Sequence, residues 1–493
     1  MDKRREFLEK ARALEPRIFT ETVRPVSGMP EGALGEGDSV VLDFGDHFVG
    51  RFSLRLGSVG SHPDAPAWLR FKFCEHAREL NETLEGYGGW ISRGWVQQEE
   101  LHVDALPAAV SLPRRYAFRY VRVEILAVSP RYRLTVEDAW AEARTSAPDG
   151  AAAPYRGGKR DEAIDRVALR TLRNCMQSVF EDGPKRDRRL WLGDLRLQAL
   201  ANYATYRNND LVKRCLYLFA GVADGEGRLP ACLFLEPEVE GDDTFMFDYA
   251  LFFIPVLLEY LRQTGDADAA RELLPTALRQ LELSEAYFDG ALVRDGDRMN
   301  WCFVDWELRL NKQTSAQAIW LYCAGAALEL CDALSSERPE GLEAAVEAHA
   351  AAMREAWFDR ERGVFVSGPE RQVSWASQIW AVLAGVLSGE EAAACLDAVR
   401  AMPDAVGMVT PYMMHHYIEA LCLAGREAEA LEAMRGYWGR MIDLGADTFW
   451  ELFDPDDPDA SPYGSPVVNS YCHAWSCTPA WFLRSRLRGR TTP

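Results

Sequence analysis

The chain has 493 residues, with 75 Asp and Glu against 55 Lys and Arg, a formal net charge of −20. Apolar residues make up 48% and aromatics 11%, which excludes general disorder, and the acidity argues against nucleic acid or an anionic membrane as partner. A chain this long exceeds one ordinary core, so two or three domains are expected. Residues 1–35 read as a lead-in that opens with a short helix. The start, MDKRREFLEKARAL, lacks the apolar stretch of a secretory signal, and no run of 18 apolar residues exists to span a membrane. The eleven cysteines are scattered, form no CxxC pair and fall mostly in apolar helical patterns. They read as reduced core residues, which predicts a cytoplasmic location.

From 36 to 146 the texture is β. Short period-2 runs recur at 39–44, 49–56, 68–73, 98–103, 120–125 and 132–136, separated by Gly, Pro and Asp turns. This predicts an antiparallel β-sandwich. Trp90 and Trp95, in GYGGWISRGW, read either as a stacking platform or, more plainly, as packing at a domain seam. Residues 147–160 are small, Gly- and Pro-rich, and read as a linker. From 161 to 493 the apolar period becomes 3.6, with about twelve helices predicted between 162 and 486. Short turns near 208, 265, 336, 388 and 425 alternate with long connections. Helices paired in this way describe six hairpins closed into a ring, an (α/α)6 barrel with its long loops on one face.

The first long connection, EDGPKRDRRLWLGD at 181–194, interleaves carboxylates with guanidiniums. Gly183-Pro184 breaks any helical register, so it is a loop. Alone it reads equally as a solvated charged loop or as a polar-substrate pocket. The later connections add Phe247, Trp301, Asp305, Trp306, His415, His416, Trp450, Glu451 and His473 to the same face. Aromatic faces stack on sugar CH groups, and carboxylates take up hydroxyls. A pair of acids can hydrolyse a glycosidic bond, one as acid and one as base. There is no GxGxxG, GxxxxGK[ST], GxSxG or HExxH, and no clustered His/Cys set, so no cofactor or metal is expected. The acidic run 454–459 lacks the glycine and ligand spacing of a calcium loop.

DGPKRDRRLWLGD, ADTFWELFDP and NSYCHAWSCTPAWFL resemble, in that order, segments of bacterial α-L-rhamnosidases of the six-hairpin glycosidase clan. LDFGDHFVGRFSLRL and RRYAFRYVRVEI are similar to the β-sandwich before the barrel in that family. The resemblance spans roughly residues 35–487. It implies an exo-acting, inverting hydrolase that releases terminal α-L-rhamnose from small glycosides or oligosaccharides. Alternatives are a clan member with another sugar specificity or a non-hydrolytic sugar-binding protein. It assigns the general acid to Asp187, where the family commonly has Glu, and the general base to Glu451. It assigns sugar binding to Asp182, Arg186, Trp191, Asp194 and His473, and aromatic walls to Phe247 and Trp306. Trp301, Asp305 and Trp450 are further substrate-binding candidates from the loop pattern. The family's C-terminal β-domain is expected to be absent, and a homodimer is possible.

Overall fold

A computed structural model describes residues 3–148, 150, 152–295 and 301–489; Asn300, in the third long loop, lies outside them. Helix α1 (Lys3–Ala13) is followed by strands β1 (Phe19–Val23), β2 (Ser39–Gly60), β3 (Ala67–Cys74), β4 (Gln98–Val103), β5 (Ala108–Ser111), β6 (Tyr116–Ala127) and β7 (Tyr132–Thr145). All pair antiparallel in one sheet of order β1-β7-β2-β6-β3-β4, with β5 also on β2. The predicted alternation is visible in β7, where buried and exposed positions nearly take turns. Register shifts at Asp43/Phe48 and Arg55/Leu56 interrupt the 22-residue β2. Bulges of this kind increase local twist and bend a strand. The inward faces build an aromatic core of Phe44, Phe52, Phe71, Phe73 and Phe118, in which Phe73 stacks on Tyr116 at 3.8 Å. The lead-in is more ordered than its sequence suggested. Its strand β1 completes an edge of the sheet, and α1 packs on a helix of the following domain.

The helical domain runs α2 (Lys159–Cys175), α3 (Leu192–Ala204), α4 (Asn209–Val222), α5 (Phe247–Thr264), α6 (Ala267–Ser284), α7 (Gln313–Ala333), α8 (Leu342–Trp357), α9 (Trp375–Leu383), α10 (Gly389–Arg400), α11 (Pro411–Leu423), α12 (Glu427–Asp443) and α13 (Pro479–Arg484). Local chemistry sets the short turns. Gly265 ends α5 at φ +70°, and Asp266 then accepts from the Ala269 N–H to cap α6. Thr410 caps α11, whose first residue is Pro411. Helices α3, α5, α7, α9 and α11 contact one another in sequence, and α13 packs against both α2 and α3. The sixth hairpin is thus made from the two ends of the domain, and it closes the ring. Among the described residues, no helix is long and apolar enough to cross a membrane.

The last helix departs from its expected extent of 470–486. Residues 470–473 are not helical, 474–477 form a 3-10 turn, and α13 starts only at Pro479. The reason lies in the backbone. The His473 N–H donates to the Phe449 carbonyl and the Ala474 N–H to the Asp182 carbonyl, at 2.9 and 2.7 Å, while the Ser470 carbonyl accepts from Glu451. These groups tie three loops together and are not free to build helical turns.

Candidate active site

The charged stretch 181–194 is almost entirely buried. Glu181, Asp182, Lys185, Arg186 and Asp194 are all buried. Asp182 and Arg189 close the loop on itself through the bonds Asp182 N to Arg189 O and Arg189 N to Asp182 Oδ1, both 3.0 Å. Three of the charges then dock the loop on the sheet domain. Glu181 takes both its bonds from the Arg115 guanidinium at 2.9 Å, Lys185 pairs with Glu79, and Arg188 donates to the Arg115 carbonyl at 2.9 Å. Arg186 donates instead to the Val468 carbonyl and to Glu451. The sequence did not reveal that three of these eight charges serve domain docking.

At the tip of the loop, Asp187 and Arg188 both adopt left-handed backbone, φ +62° and +53°. Asp is one of the few non-glycine residues enriched there. The short acid therefore suits the turn that carries it into the cavity. The cavity holds about 330 Å³, at the small end of ligand sites. Asp182, Arg186, Asp187, Trp191, Asp194, Trp306, Glu451 and His473 line it, all of them expected from the sequence.

The other four candidates lie elsewhere. Phe247 and Trp301 pack on each other and on Tyr287 behind the wall, with ring centroids 5.1–6.2 Å apart. Asp305 accepts from the Val409 N–H at 3.0 Å and the Thr410 hydroxyl at 2.6 Å, so it braces the start of α11. Trp450 is buried at the domain seam between His76, Tyr471 and Phe453. Each points away because the loop pattern places a residue on a face but does not aim its side chain.

Several lining residues were not picked out as site residues: Tyr249, Phe303, Tyr463, Trp475 and Asp242. Phe303 is presented by a backbone knot. The buried Asp248 carboxylate accepts from the Phe303 and Val304 N–H groups at 3.0 Å, and Val304 sits at φ +57°. Tyr463 lies in DPDDPDASPYGSP, a run that reads as solvated; a lone aromatic among Ser, Pro and Gly was its only signal.

Glu451 is the most constrained group in the cavity. Its Oε2 is paired with Arg186, and its Oε1 accepts from the Tyr463 hydroxyl at 2.5 Å. Burial raises its pKa above the ordinary glutamate value, Arg186 and Tyr463 oppose that rise, and the charge of Asp187 adds to it. The Arg186 guanidinium also lies 3.9 Å from Asp187 Oδ1 and stacks over Tyr463 at 4.2 Å. One guanidinium thus approaches both carboxylates, Asp187 through Nη1 and Glu451 through Nη2. The pKa values of Asp182 and Asp194 are raised well above the usual carboxylate range, chiefly by burial. Asp182 also feels the charges of Asp187 and Asp194, and Asp194 those of Glu451 and Asp187. His473, 3.7 Å from Asp194 and 3.9 Å from Glu451, is kept neutral by burial and by Arg186. Buried Asp194 Oδ1 and His473 Nδ1 have no hydrogen-bond partner, which leaves them available to a ligand.

Residues 159–487 match the family described as bacterial α-L-rhamnosidase six-hairpin glycosidase domain. The chain belongs to that family. Its members are glycoside hydrolases that release α-L-rhamnose, and residues 9–143 match the N-terminal domain of family 78 α-rhamnosidases. Among solved structures, a rhamnosidase from Klebsiella oxytoca with rhamnose bound superposes with a TM-score of 0.93 at 46% identity, covering 97% of this chain and 98% of that one. A family 78 rhamnosidase of Bacillus sp. GL1 is 22% identical with a TM-score of 0.78; the match covers 94% of this chain and 48% of that one. An α-L-rhamnosidase of Streptomyces avermitilis complexed with L-rhamnose is 16% identical with a TM-score of 0.70, covering 95% and 44%. These last two share the fold, and this family member spans about half their length. Comparison with curated proteins gives no match.

Proposed function

We propose that the protein is an exo-acting α-L-rhamnosidase that works by single displacement with inversion, with Asp187 as general acid and Glu451 as general base. The observation that carries this is the pair of carboxylates that line one small cavity and both approach the Arg186 guanidinium. Inversion needs room for a water, about 6.5–9.5 Å between the carboxyls, whereas retention needs about 5–5.5 Å. The cavity volume suits one sugar ring, which favours removal of a terminal unit. Asp182 and Asp194 bond sugar hydroxyls, the neutral His473 completes that grip, and Trp191, Phe303, Trp306 and Trp475 offer ring faces.

The leaving oxygen takes its proton from Asp187, the more exposed of the two acids. Glu451 draws a proton from water as that water attacks the anomeric carbon from the opposite face. The test is NMR of the first-formed sugar from an α-L-rhamnoside. Inversion gives the β anomer first, and an initial α anomer would overturn the mechanism.

Tyr463 sets the lower pH limit. Glu451 must be ionised to act, so activity falls as pH drops through its pKa. The Tyr463 bond stabilises the ionised form, so Tyr463→Phe raises that pKa. The acidic limb of the kcat profile should then move to higher pH, with a rate loss of roughly tenfold on that limb and little change on the plateau. An unmoved limb would detach Tyr463 from the base. Cysteine usage supports a reducing, cytoplasmic setting: ten of the eleven thiols are buried and none is in a disulfide. Neither a second copy of the chain nor nucleic acid enters this scheme.

A further inference from the structure

We propose that the sheet domain supplies the leaving-group half of the active site, with Trp90 as the platform that selects glycosides bearing a planar aromatic aglycone. The proposal rests on the hydrolytic reading above and adds the substrate class to it.

Trp90 lies between β3 and β4, on a loop that crosses to the mouth of the barrel. That loop is anchored without it. Tyr87 and Ile91 form a small apolar cluster with Tyr463, Val467 and Val468 of the helical domain, and Arg93 donates to the Tyr87 carbonyl at 2.6 Å. The Trp90 indole is 67% exposed, the most exposed of the cavity's aromatic rings. It meets Tyr463 edge-on at 5.2 Å and Trp306 at 6.4 Å, so most of its π-face is open. An exposed tryptophan fixed on an anchored loop at the rim of a cavity marks a contact surface.

The side of the cavity on which it stands gives the assignment. Arg188, the neighbour of Asp187, lies 6.0 Å from the ring of Trp95 on this same loop. The sheet-domain loop lines the same cavity as Asp187, and the leaving oxygen is the atom that the acid protonates. Whatever follows that oxygen in the substrate must pass the loop. There it meets the rings of Trp90, Trp95 and Trp306 and the side chain of Ile91, with Ser92 as the one hydroxyl that the loop brings to the cavity lining. A second sugar would need partners for several hydroxyls. A flat aromatic group needs ring faces at stacking distance, and the rim is built of these.

The experiment compares binding by calorimetry in a Glu451→Gln background with and without Trp90→Ala. The ligands are p-nitrophenyl α-L-rhamnoside, a rhamnosyl disaccharide and L-rhamnose. Loss of the platform should weaken the aryl glycoside about five- to tenfold and leave rhamnose within about twofold. Trp90→Phe should recover most of the loss, and the melting temperature should stay unchanged because the indole is not in a core. Equal weakening of all three ligands, or of the disaccharide as strongly as the aryl glycoside, would overturn the proposal, as would no change for the aryl glycoside. A wild-type protein that releases no rhamnose would sink the hydrolytic reading, yet the binding comparison would still decide this one.

Discussion

Glu451→Gln is expected to lower kcat on any α-L-rhamnoside by about 10³-fold, within the ~10²–10⁴ range of a positioned general base. The amide keeps the shape of the side chain but has one acceptor oxygen where the carboxylate has two, and it cannot take a proton from water. Folding should survive, because the amide oxygen can still accept from Arg186 while the Tyr463 hydroxyl turns to accept from the amide NH2. The change also removes the group whose ionisation defines the acidic limb, so the residual rate should lose that limb. A variant with near wild-type kcat and an intact melting temperature would remove Glu451 from the chemistry.

The second large effect belongs to Asp187→Asn, and its size depends on the leaving group. General-acid help matters in proportion to the basicity of the oxygen that departs. With a p-nitrophenolate leaving group the expected loss is about tenfold or less. With a sugar or alkyl leaving group it is about 10²–10⁴-fold. Asn accepts left-handed backbone as readily as Asp, so the turn at φ +62° should hold. A steady-state comparison of aryl and disaccharide substrates reads the difference directly. An equal loss on both would transfer the acid's role to a neighbour, and Asp182 and Asp194, whose pKa values burial raises in the same cavity, would be next in line.

The ring of hairpins was legible because it is written in two periods, 3.6 within helices and the alternation of short and long links between them. The sheet domain was legible for the same reason at period 2. Of the candidate site residues, those of the charged loop come together in one cavity with Trp306, Glu451 and His473. Phe247, Trp301, Asp305 and Trp450 show the limit of that logic. A chain pattern assigns an end of the barrel, but side-chain direction depends on contacts such as Asp305 bracing Thr410, which no spacing encodes. Tyr463 was hidden in the opposite way, by acidic and proline neighbours that resemble a solvated tail. The buried charges of 181–189 were misjudged because half of their partners, Arg115 and Glu79 among them, lie in the other domain.

The closure of the ring by the two ends of the helical domain has a consequence for biosynthesis. Arg186 and Glu451 are 265 residues apart in sequence, and Ala474 reaches back to the Asp182 carbonyl. As the chain leaves the ribosome, the loop of Asp187 emerges long before Glu451. No partial product of translation that stops short of residue 451 can hold both of the carboxylates proposed as acid and base, so under that reading the ring must be wound through its last long loop before a glycoside is cleaved.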